Sequence, residues 1–263
     1  TNLFDTKHRL IETFPDIAAH IRLLWVCLNA YPDLLNGNIP ATDIMCPHSS
    51  MELVEGIYKN NVSADYFNRL VVQSVQSYIQ ARLPLLTNHD KIKIIEVGAG
   101  TGGTSALVLE AIDAYREQLH YVYTDISMGF TQYGKQHYGQ RYPFVEFGIL
   151  NIENEMKTQG YELGDFDVII ATNVLHATRN IHNTLCNIKS LLKAHGWLIL
   201  NEVTHVQTFA TLTFGLLEGW WLAEDEENRL KGSPLLSAEM WERLLEEEGF
   251  ERVISLGWSR QNG

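Results

Sequence analysis

His176 follows the apolar run Phe166 to Ala171, and Glu202 follows Gly196 to Leu200, so the two stand after consecutive apolar runs with the types needed for proton abstraction. A neutral imidazole removes a proton at about pH 7, and a carboxylate on its far nitrogen fixes the tautomer and stabilises the imidazolium. The chain has 10 histidines, so type alone singles out none; the place of His176 in Asn173-Val174-Leu175-His176-Ala177-Thr178 does. Other residues have the types needed to hold a small ligand. Ile94-Ile95-Glu96-Val97-Gly98-Ala99-Gly100-Thr101-Gly102-Gly103 reads as a strand running into a glycine turn and then a helix, where the backbone can approach a ligand closely. Glu96 would repel a pyrophosphate and suits a cationic or zwitterionic ligand. About 22 residues beyond the turn, Asp125 ends the next apolar run, where an acid can hold two ribose hydroxyls.

These groups need rigid elements to bring them together. The runs Ile92 to Val97, Tyr121 to Thr124, Phe144 to Phe147, Phe166 to Ala171 and Gly196 to Leu200 predict buried strands, with helical patterns such as Ile181, Leu185, Ile188 and Leu192 between them. That alternation predicts an α/β fold whose mostly parallel sheet is covered on both faces. Ligands of such sheets sit outside the carboxyl ends of the strands, which is where His176 and Glu202 fall. Residues 1–90 read as a helical lid: Phe67, Val71, Val75, Tyr78 and Arg82 keep helical spacing, Leu70 and Ile79 widen the apolar face, and Pro32, Pro40 and Pro47 break the middle. Residues 91–263 form the core domain. Near its end the pattern predicts a helix capped by Ser237, with Met240, Trp241, Leu244 and Leu245 inward, and one more strand at Val253 to Leu256.

Composition removes several function classes. Thirty-two acidic against 20 basic side chains give a net charge of -12, which argues against capture of nucleic acid or anionic lipid. No apolar run is long enough to span a membrane, and Asp5, Lys7, Arg9, Glu12 and Asp16 do not make a leader. Cys27, Cys46 and Cys186 are too few for a disulfide framework, so the expected setting is the reducing cytoplasm. No metal is expected, since Cys46 and His48 alone fall far short of a zinc site. The start at Thr1, inside a helical pattern, is the expectation for a piece of a longer polypeptide.

Glu96-x-Gly98-x-Gly100-x-Gly102 ending one strand and Asp125 ending the next resemble the signatures of the class I S-adenosylmethionine-dependent methyltransferases, with their Rossmann-like sheet. The resemblance implies S-adenosylmethionine as cofactor, Gly98 and Gly100 beside its methionine part, and Asp125 on its ribose. Asn151, with Ile152, takes the place near the adenine where relatives often carry Asp; Glu96 and Asn173 complete the expected cofactor set. The segments Asn173 to Thr178 and Thr213-Phe214-Gly215-Leu216-Leu217-Glu218-Gly219-Trp220-Trp221-Leu222 narrow the resemblance to methyltransferase domains of modular polyketide synthases. Similarity runs from Ile57-Tyr58-Lys59-Asn60-Asn61 to Gly249-Phe250, and such folds finish with an antiparallel strand, which is either missing from this piece or supplied by the stretch near Trp258.

The implied reaction is methylation of the α-carbon of a β-ketoacyl thioester on an acyl carrier protein, with neighbouring synthase domains as further partners. His176 acts as the base and Glu202 orients it. Oxygen methylation at a β-hydroxyl or enol is the rival within the family, and an inactive scaffold the rival outside it. Tyr58, Phe67, Phe214, Trp220 and Trp221 are candidates to line the acyl path. The run Glu224-Asp225-Glu226-Glu227 reads as a solvated face, so a carrier is expected to dock on basic residues elsewhere, Arg69 or Arg82. Glu202→Gln is expected to cost less than loss of His176, because a hydrogen-bonding partner remains.

Overall fold

The computed structural model describes residues 3–47, 51–59, 61–87 and 90–256; His48, Asn60 and Trp258 lie outside them. Along the first strand, β1 (Ile92–Val97), successive side chains point to opposite faces of the sheet. Ile92 and Ile94 therefore join one core, with Tyr121, Val168 and Ile170, while Ile95 and Val97 join another, with Val122, Ile169 and Ala171. The other strands are β2 (Leu119–Asp125), β3 (Val145–Ile149), β4 (Phe166–Thr172) and β5 (Leu192–Asn201). All four pairings are parallel and the order is β3-β2-β1-β4-β5, so the order reverses at β1 and β4 and opens a crevice beyond their carboxyl ends.

Before the sheet come α1 (Leu3–Thr13), α2 (Ala18–Leu35), α3 (Ala41–Met45), α4 (Glu52–Tyr58) and α5 (Val62–Arg82). Asn61 caps α5 by accepting from the Ala64 amide at 2.9 Å, and its own amide donates to the Gly56 and Ile57 carbonyls at 3.2 and 3.1 Å, which locks α4 to α5. Val71, Val75, Tyr78 and Ile79 of α5 pack on β1 and on α6 (Gly103–Ile112), so this helix covers the sheet. Leu23, Cys27 and Met45 make a separate small core with Phe209, Phe214 and Leu217, residues that come after the sheet.

α7 (Met128–Tyr138) and α8 (Ile181–Leu191) follow β2 and β4, α9 (Thr208–Leu212) follows β5, and α10 (Ala238–Glu247) closes the second core with Trp241 and Leu244. Ser237 caps α10 by accepting from the Met240 amide at 3.2 Å. The expected strand at Val253 to Leu256 is not formed among the described residues. Ile254 and Leu256 are 75% and 59% exposed, so burial supplies no driving force to order them as a strand.

Candidate active site

β4 and β5 end side by side, with Thr172 opposite Asn201 in the ladder. The next residue, Asn173, has φ of +51°, a left-handed conformation that Asn tolerates better than most residues. Its amide donates to the Asn201 carbonyl at 2.8 Å and its side-chain oxygen accepts from the Val203 amide at 3.1 Å. This clasp brings Glu202 under the turn that follows β4. One Glu202 oxygen accepts from the Val174 and Leu175 amides at 3.0 and 2.8 Å, and the other meets His176 Nδ1 at 2.5 Å. The Glu202 side chain is only 2% exposed and that of His176 11%. With an ionised carboxylate and a neutral imidazole, Nδ1–H is the donor of this bond and the ring's lone pair lies on Nε2.

The glycine turn lies beside this pair. Gly98 has φ of +64°, and a Cβ there would overlap the Val174 side chain, so the turns after β1 and β4 touch without room for any larger residue. Gly100, at φ +57°, donates its amide to Asp125 at 2.9 Å, and a Cβ on it would meet only the Gly98 carbonyl oxygen at 4.0 Å. Asp125 also accepts from the Ser127 amide at 2.8 Å. Burial raises the Asp125 carboxyl pKa, while the backbone amides of Ser127, Gly100 and Ile126 oppose that rise.

Glu96 sits beneath the turn. Its carboxylate accepts from Ser105 at 2.5 Å and Tyr121 at 2.6 Å, and burial pushes its pKa up to about 7, with the Asp125 charge adding to the rise. At neutral pH it is therefore a partly protonated group under the loop. Thr101 and Thr172 both line the cleft, and each keeps a buried side-chain oxygen with no partner. The open side of Gly100, the two unpartnered hydroxyls and the Asp125 carboxylate fit a polar ligand that carries both a cationic centre and hydroxyls.

A family model described as "Methyltransferase domain" matches residues 95–198. Over 240 residues the chain is 46% identical to polyketide synthase PksM of Bacillus subtilis (strain 168), covering 90% of this chain and 6% of that protein. The crystal structure of the DszA carbon methyltransferase superposes with a TM-score of 0.92 at 52% identity, covering 96% of this chain and 64% of that one. The chain belongs to the methyltransferase domains of polyketide synthases. The trans-methyltransferase CalH in complex with SAH also superposes, with a TM-score of 0.76 at 29% identity, over 94% of this chain and 66% of that one. The methyltransferase domain thus spans a small part of the synthase PksM and about two thirds of each of these solved chains.

Most of the sequence-predicted site residues line one open groove of about 3070 Å³, which also extends along β5 to Lys193 and His195 at the far end of that strand. Glu96, Gly98, Gly100, Asp125, Asn151, Ile152, Asn173, His176 and Glu202 all line it, with Tyr58, Phe67, Phe214 and Trp220. The Trp220 ring meets the His176 ring edge-on at 6.2 Å, and its indole N–H is buried without a partner. The Tyr58 hydroxyl pKa is pushed up to about 12 by burial and then by the Glu202 charge, and its ring meets that of Phe214 at 6.2 Å.

Trp221 is a correction. It is 56% exposed, its indole donates to the Gly215 carbonyl at 2.9 Å, and it does not line the cleft. Neighbours in a 3-10 turn point about 120° apart, so Trp220 and Trp221 do not face one wall together. Arg82 is turned to Asp167 at 4.0 Å, near the start of β4 and at the opposite end of that strand from His176.

The reading of 224–227 as a solvated face fails at Asp225, which is buried against Arg229 with both side chains 3% exposed. Sequence reasoning missed this pair, although an acid and a base four apart were visible as a signal. Among the described residues no group of three or more His, Cys, Asp or Glu side chains is placed to hold a metal, and no helix is long and apolar enough to cross a membrane.

Proposed function

We propose that this domain methylates the α-carbon of a β-ketoacyl thioester presented by an acyl carrier protein, with His176 as the base and Glu202 as its orienting carboxylate. The observation that carries the reading is the His176–Glu202 pair at the carboxyl ends of β4 and β5, with Nε2 left as the acceptor. S-adenosylmethionine would supply an electrophilic methyl group. Gly98 and Gly100 would pass beside its methionine part, Asp125 would hold its ribose, and Asn151 and Ile152 would flank its adenine, with Asn173 and Glu96 at the edges. The solved CalH complex with SAH, the product such a cofactor leaves, supports this choice.

His176 takes the α-proton, which the two flanking carbonyls of the substrate make acidic. Glu202 holds the resulting imidazolium by charge and by hydrogen bond. Tyr58, Phe67, Phe214 and Trp220 form an apolar wall that excludes water while the carbanion exists. The carbon methyltransferase DszA supports carbon over oxygen as the acceptor. Intact mass spectrometry of carrier protein loaded with β-ketoacyl or β-hydroxyacyl groups tests the choice. A gain of one CH₂ on the β-keto species alone, placed at the α-carbon by fragmentation, is expected; gain on the β-hydroxy species would make oxygen the acceptor.

A further inference from the structure

His176 lies in a turn of three residues, Leu175–Ala177, between β4 and α8. Glu202 grips it from one side through the Val174 and Leu175 amides. The buried pair Asp225 and Arg229 grips it from the other. Arg229 Nη1 donates to the His176 carbonyl at 2.8 Å and to the Pro234 carbonyl at 2.9 Å, and Nη2 donates to the Thr178 carbonyl at 3.0 Å. Asp225 accepts from Arg229 Nε at 2.7 Å and, through its other oxygen, from the Ile181 amide at 2.8 Å, at the start of α8. One ion pair thus binds the backbone at residues 176, 178 and 181.

We propose that Arg229, oriented by Asp225, is a positioning residue that holds the His176 imidazole in line with Glu202. This rests on the reading of His176 as the base. A buried ion pair is a costly way to gain stability alone, and an apolar replacement often serves as well. What an apolar pair cannot do is grip several carbonyls in fixed directions. The planar fork of arginine does so, whereas lysine offers only a point charge. Arg229 touches no reacting atom; its effect passes through the carbonyl of His176 itself.

The test compares Arg229→Lys, Arg229→Ala and Asp225→Asn in the full chain, with kcat, the KM for S-adenosylmethionine and the proton NMR signal of the His176 Nδ1–H, assigned by its loss in His176→Gln. Arg229→Lys should lower kcat by about 10- to 100-fold with that KM changed less than about threefold, because small misplacement of a catalytic group costs rate rather than binding. Its Nδ1–H signal should broaden, and added guanidinium should restore part of the rate of Arg229→Ala. Wild-type kcat in Arg229→Lys, or a loss with a sharp Nδ1–H signal and no guanidinium rescue, would overturn the proposal. Should Arg229→Ala fail to fold, the near-isosteric Asp225→Asn decides in the same way: a lowered kcat with a broadened signal supports the brace, and an unchanged pair of readings overturns it. His176→Gln turning over at the wild-type rate would reject the base assignment alone, and the signal in Arg229→Lys would then judge the brace by itself.

Discussion

The two oxygens of Glu202 have different duties: one is committed to the Val174 and Leu175 amides and the other to His176. A glutamine there must put its carbonyl oxygen on the two amides, since an NH₂ group cannot accept from them. Its NH₂ then faces Nδ1, which becomes the acceptor, and the proton moves to Nε2, where a base needs a lone pair. Glu202→Gln should therefore lower kcat by about 10²–10⁴-fold, close to the loss for His176→Ala, a larger effect than the sequence alone leads one to expect. Single-turnover rates of the two variants check this; a Glu202→Gln rate near wild type would show that the tautomer does not matter. His176, Glu202 and Asp125 were legible because polar residues ending apolar runs are conspicuous. Asp225 was not, because one buried acid within an acidic run looks like its neighbours until its partner is seen.

At the scale of elements, the crossing of the turns after β1 and β4 fixes the distance between the glycine loop and the dyad. Gly98→Ala places a methyl group into Val174 at a backbone angle costly for any residue with a Cβ. The backbone part costs about 1–2 kcal/mol and the overlap adds to it. In a double-mutant cycle with Val174→Ala, urea unfolding should show the overlap relieved and the backbone cost retained; simple additivity of the two changes would show that the turns do not touch. Asn61→Ala should lower stability by about 1 kcal/mol by uncapping α5, with a lower melting temperature as the readout. All five strands were legible from their apolar runs, but only β1, β2 and β4 are buried as expected; β3 and β5 hold no buried residue because they lie at the two edges of the sheet. The expected strand at Val253 to Leu256 had the right composition, but pairing depends on a neighbouring backbone, which composition does not report.

At the scale of the molecule, one sheet divides two cores, and the buried Glu96 couples that architecture to pH. Burial raises its pKa from 4.5 to about 7, so the folded state favours the protonated form. The stability it contributes is complete below about pH 4.5 and is lost as pH rises through about 7. Denaturation at several pH values should show the difference between Glu96→Gln and wild type shift in favour of the variant across that window. A constant difference would place the carboxylate in a solvated setting instead. The pairing of a helical region with an α/β core was visible in the change of texture near residue 90, whereas the docking of α5 on the sheet was not, because an apolar helix face does not name what it packs against.

If the glycine turn with Asp125 binds the cofactor while His176 and Glu202 perform the chemistry, removing the imidazole must separate affinity from rate. Calorimetric titration of wild type and His176→Ala with S-adenosylmethionine is run beside methyl transfer to a β-ketoacyl carrier protein. Affinities within about threefold of each other are expected, with a rate lower by at least about 100-fold in the variant. Equal rates, or loss of cofactor binding together with activity, would contradict that division of roles.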